Sequence, residues 1–138
     1  MGRRVLGVLA LAILVLTTSA VSQAPVKSRE ASSSNNQLRE WVAELKAPAP
    51  QTRNAAAYEI GGLGPAAVSA VPALIAALDD PEPSVRFPVT VALGEIGPAA
   101  KAAVPRLQQM MAEEVNDEIA ASAKRALRRI DPSAVPTE

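Results

Sequence analysis

Apolar residues recur along this chain at helical spacing, and they do so in paired segments. Val71, Leu74, Ile75 and Leu78 stand at i, i+3, i+4 and i+7, one face of a helix. Pro72 is tolerated there because the first helical turn leaves its N–H positions unpaired. A second stripe, Val85, Val89, Ala92, Leu93 and Ile96, is repeated further on as Ile119, Ala123, Ala126, Leu127 and Ile130. Asp79-Asp80-Pro81 separates the two helices of a pair, with an acidic side chain placed to cap and a proline at the opening turn. Gly97-Pro98 stops the second helix, because glycine accepts a left-handed backbone and proline cannot continue. The pattern predicts helices over 38–46 and 50–62, 70–79 and 83–96, and 103–113 and 117–130.

The paired segments are copies of one another. Pro48–Leu78 laid over Pro81–Met111, a shift of 33, gives 12 identities in 31 positions, and they fall on the punctuation: Pro48/Pro81, Pro50/Pro83, Arg53/Arg86, Gly61/Gly94, Gly64-Pro65/Gly97-Pro98 and Ala70-Val71-Pro72/Ala103-Val104-Pro105 among them. A weaker third copy continues at a shift of 34, with Ala126-Leu127 and Ile130-Asp131-Pro132 under Ala92-Leu93 and Ile96-Gly97-Pro98. Such a unit cannot bury its apolar stripe alone, so stacking of neighbours is required and about three copies are the practical minimum. The expected organisation is a repeat domain over 37–132, in units of about 37–66, 67–99 and 100–132, with a C-terminal tail at 133–138.

The N-terminus follows a different logic. Arg3 and Arg4 precede 12 unbroken apolar or glycine residues, Val5–Leu16, and small polar residues follow to Ala20. This order predicts a secretory signal over 1–20, cleaved after Ala20. The alternatives are a signal anchor retained through residues 5–21 as a membrane tether, and a buried N-terminal helix. Residues 21–36, rich in Ser and Asn and without apolar periodicity, read as a disordered linker. Export implies a secreted or periplasmic protein, or one anchored facing outside the cytoplasm.

Composition then narrows the chemistry. The 138 residues include no cysteine and no histidine, which removes thiolate and imidazole metal sites and any triad with a histidine base. The 14 basic and 14 acidic residues balance, and loss of Arg3 and Arg4 with the signal leaves the mature chain at about −2. Nucleic acid is therefore a poor partner, having neither a basic excess nor a series of aromatic platforms to engage. The only aromatics are Trp41, Tyr58 and Phe87, so the core must be built from Ala, Val, Leu and Ile.

The run Val85-Arg86, Ala92-Leu93-Gly94-Glu95-Ile96-Gly97-Pro98-Ala99-Ala100 and Ala103-Val104-Pro105-Arg106-Leu107 resembles the HEAT repeat of the phycobilisome-lyase-like type, and the resemblance extends over about 38–132. It implies an all-α, short right-handed α-solenoid of about three hairpins, with the second helices lining a concave face, and a protein-interaction role. Some members of that type attach bilin chromophores, which leaves a chromophore-lyase enzyme as an alternative to a non-enzymatic exported scaffold. A third reading is a membrane-tethered element that self-assembles through the uncovered apolar sides of its end repeats.

Subtracting the core stripe from the second helices leaves equivalent positions Asn54 and Tyr58, Phe87 and Val91, and Ala121 and Arg125, three successive rungs. Asn54, Tyr58, Phe87, Val91 and Arg125 are the candidate partner-binding residues, with Tyr58, Phe87 and Val91 as an apolar patch suited to anchor a peptide or protein. The competing structural reading has Phe87 covering a kink and Tyr58 packing locally. Lys124, Arg125, Arg128 and Arg129 form a candidate basic patch for an anionic partner, or else a solvated end face. Arg53 and Arg86 are placed to reach Asp79, Asp80 and Glu82 as a structural ladder, Glu59 stands in a core slot held elsewhere by Ala92 and Ala126, and Trp41 aligns with the core residues Leu74 and Leu107. Pro88, inside the fourth helix, predicts a kink that detaches the turn 83–87. No catalytic, cofactor-binding or metal-binding residue is assigned.

Overall fold

A computed structural model describes residues 26–137 and shows why the punctuation repeats. Six α-helices run among the described residues: α1 (Val26–Glu44), α2 (Pro50–Gly62), α3 (Val71–Ala77), α4 (Pro83–Ile96), α5 (Val104–Glu113) and α6 (Asp117–Ile130). They pair as α1 with α2, α3 with α4 and α5 with α6, and the second helices stack α2 on α4 on α6 to carry most of the contact between repeats. This is an all-α HEAT-like solenoid. The second helices begin and end where the sequence places them, because Pro50 and Pro83 occupy the opening turns of α2 and α4 and Asn116 caps α6, its side chain accepting the N–H groups of Glu118 and Ile119. Both predicted stripes are buried throughout, Val85 to Ile96 on α4 and Ile119 to Ile130 on α6.

Between the repeats lie 3-10 segments, Gly64–Ala70 and Gly97–Ala103, with a third, Pro132–Ala134, after α6. Gly97 has φ 73° and ψ −143°, a combination open to glycine and outside the left-handed helical region expected of it. The last segment joins the packed body: Gln108 Nε2 donates to the Ala134 carbonyl at 2.7 Å, and Ala134 and Val135 pack against the core. The tail thus starts later than residue 133.

Three expectations change. Residues 26–36, read as a disordered linker, are the first part of α1; residues 31–37 are exposed, so the helix runs out from the repeat without an apolar face that periodicity would reveal. Trp41 is only partly buried, unlike its equivalents Leu74 and Leu107, because among the described residues no further repeat stands on the outer side of the first. Pro88 does not detach the first turn of α4, which is helical without interruption from Pro83 to Ile96. The proline leaves the Ser84 carbonyl without its i+4 donor, and Asn54 of α2 supplies one from its side-chain amide. The signal, the tether over 5–21 and the start of the linker lie outside the described residues.

The Asn54 contact yields a double-mutant prediction. Asn54→Ala is expected to cost about 1 kcal/mol, the usual net value of a hydrogen bond. In a Pro88→Ala background, where residue 88 again offers an N–H to Ser84, urea denaturation should show most of that cost gone. Equal costs in both backgrounds would contradict the assignment.

Candidate functional site

Two connected grooves run along the stacked second helices. The larger, of about 640 Å³, lies between α2 and α4 over a floor of Gly61, Pro88, Val91 and Ala92, with Tyr58 at its wall. A smaller one of about 120 Å³ lies between α4 and α6 and includes Val91, Gly94, Ser122 and Arg125. The helices approach closely here: Gly61 faces Ala92, and Gly94 faces Ala126. Between the grooves Arg129 donates from Nη1 and Nη2 to the two carboxylate oxygens of Glu95, each at 2.9 Å, and both residues line both grooves. Tyr58 keeps 52% of its surface exposed, unusual for an aromatic in a chain with three of them. An apolar floor, one aromatic wall and one ion pair thus line one surface, the few polar groups standing beside a mostly apolar base.

The structure brings Tyr58, Val91 and Arg125 onto this surface and takes the other two candidates elsewhere. Asn54 is engaged with the Ser84 carbonyl, and Phe87 is partly buried against the core, where it covers no kink because α4 is unbroken at Pro88. The four basic residues of α6 do not form one patch. Arg125 and Arg129 face the groove, Arg129 already paired with Glu95, whereas Lys124 is partly buried and Arg128 is exposed away from the groove. Glu59 is exposed, so it meets no desolvation cost in its core slot.

At the turns joining first to second helices lies the charged ladder. Arg53 donates from Nε and Nη2 to Asp80 at 2.6 and 2.9 Å and from Nη1 to the carbonyls of Ala47 and Pro48. One repeat on, Arg86 donates to Glu114 at 2.8 and 3.0 Å and to the carbonyls of Asp80 and Pro81. Arg53 reaches the expected turn, but the carboxylate that meets Arg86 is Glu114, which the motif reading missed; it stands 34 residues after Asp80, the shift of the third copy, and that register would have found it. Asp80 also accepts the Glu82 N–H, so its carboxylate braces the turn and does not cap α4. Arg106 pairs with Asp79 on the same edge.

The ladder makes stability depend on pH. The hydrogen bond from Arg53 holds the Asp80 carboxyl below its ordinary 3.8, and the hydrogen bond from Arg86 holds Glu114 below its ordinary 4.5. The unfolded chain therefore takes up these protons first on acidification. Their stabilisation is complete above the unfolded values and is lost as pH falls through the depressed folded values. The urea midpoint should hold steady from neutrality to about pH 5 and then decline; a midpoint that rises below pH 4.5 would contradict the ladder.

The sequence matches the family described as HEAT repeats over residues 38–128. No curated protein and no solved structure matches it.

Proposed function

The chain belongs to the HEAT-repeat family, and from that premise we propose that it is a non-enzymatic scaffold that binds a peptide or protein segment in the groove over α2, α4 and α6, on the concave side of the solenoid. HEAT repeats generally mediate protein–protein interaction. The observation that carries the reading is the half-exposed Tyr58 standing over an apolar floor that two repeats build together. Aromatic side chains in such a setting are favoured anchors at interfaces. Arg125 at the far end of the same surface favours a segment with an acidic residue beyond its apolar ones.

Two finer assignments go with this. The Gly94-Glu95-Ile96-Gly97-Pro98-Ala99-Ala100 run supports the phycobilisome-lyase-like type of repeat, and the three-part order of residues 1–20 supports export to the periplasm or beyond, with cleavage after Ala20. Outside the cytoplasm a chain without cysteines relies on packing alone, which suits a repeat stack.

The test is a cross-linking pull-down from the producing cell with wild type, Tyr58→Ala and Arg106→Ala. Tyr58→Ala is expected to lose at least about tenfold of the bound partner, the loss of a modest anchor, while Arg106→Ala, on the opposite edge, retains it. An unchanged partner with Tyr58→Ala defeats the groove.

A further inference from the structure

Each junction between repeats is built from the same two positions. α2 offers Gly61 to Ala92 of α4, where a Cβ on the glycine would stand 3.2 Å from the Ala92 Cα; α4 offers Gly94 to Ala126 of α6 at the same 3.2 Å. Of the second helices α4 alone carries both, a glycine toward the following repeat and an alanine toward the preceding one. The register identifies what stands in these slots at the two ends of the stack. The alanine slot of α2, 33 residues before Ala92, holds Glu59; the glycine slot of α6, 34 residues after Gly94, holds Arg128. Both are exposed.

The two end faces are therefore opposite in charge at the very positions that would oppose each other if the stack continued. We propose that copies of this chain associate end to end, the α6 face of one copy on the α2 face of the next, with Arg128 against Glu59 of a second copy. The surroundings suit this: Ala55 on α2 and Ala121 on α6 are small and exposed. A Glu and an Arg are bulkier than Ala and Gly, so this junction is wider than those inside the chain. It is accordingly weak, and the charges determine which ends meet more than how tightly. The inference is independent of the groove, since neither Glu59 nor Arg128 lines it.

Sedimentation equilibrium of the full chain at low and high salt, with Glu59→Arg, Arg128→Glu and the double charge swap, decides the matter. Wild type should gain mass with concentration at low salt and lose that gain at high salt. Each single substitution sets like charges together and should weaken association about tenfold, and the double swap should restore it, which separates this contact from any other source of self-association. Helicity by circular dichroism should be equal in all four chains, because both positions are exposed. A chain that stays monomeric throughout overturns the proposal, as do single substitutions without effect or a double swap that fails to restore association.

Discussion

Gly94→Leu is expected to destabilise the chain by about 3 kcal/mol, the upper part of the usual cost of overpacking. A bare Cβ at residue 94 already stands 3.2 Å from the Ala126 Cα and 3.3 Å from its Cβ, and what it meets is backbone and a methyl that cannot swing aside. The further atoms of leucine can be housed only if α6 withdraws from α4, and those two helices form one of the two principal junctions of the stack. Withdrawal also opens the burial of Leu93, Leu127 and Ile130. Gly62→Leu is the internal comparison. It adds the same side chain to the same kind of helix, but a Cβ at 62 meets nothing within 4 Å, so the change should fall within about 0.5 kcal/mol. Urea denaturation of the two variants checks this directly; similar losses would show that glycine is not required by the close approach.

Arg86→Ala should cost about 2 kcal/mol, within the range for hydrogen bonds to charged groups. The guanidinium makes two bonds to Glu114 and two to the carbonyls of Asp80 and Pro81, with side-chain exposure of only 17% for Arg86 and 10% for Glu114. Its loss leaves a largely covered carboxylate without a cation and frees the turn before α4. The variant should also lose part of the acid sensitivity of the wild type, because the Glu114 carboxyl would return toward its ordinary value. Arg106→Ala removes a pair whose Asp79 is 63% exposed, and its effect should be within about 0.5 kcal/mol. Equal losses from Arg86→Ala and Arg106→Ala, measured by the same denaturation, would refute the distinction between a covered and an exposed ion pair.

The parts of this fold that could be read from sequence are those written by punctuation. Pro50, Pro83, Gly64 and Gly97 are residues whose backbone chemistry restricts what the chain can do next, and they recur at a fixed period, so the ends of α2 and α4 follow from them. The extension of α1 before residue 37 has no such mark: residues 31–37 are exposed, and the Ser and Asn among them carry neither an apolar stripe nor a stop. Pro88 misled for a related reason. Its effect on α4 is offset by Asn54, a side chain on another helix whose proximity only the stacked structure supplies. Glu114 was hidden by a one-residue change of period between the second and third copies. On the groove, subtracting the buried stripe was enough to find Tyr58, Val91 and Arg125. The same subtraction cannot tell that Phe87 leans to the core or that Asn54 is held by a carbonyl.

The groove is the centre of the functional account, and Val91 is its most informative position because it lines both the α2/α4 and the α4/α6 grooves. Titration calorimetry of the captured partner against wild type and Val91→Glu tests it most directly. The account predicts at least about a tenfold rise in Kd for Val91→Glu, with the urea midpoint little changed because residue 91 is only partly buried. A Kd equal to that of wild type would contradict it.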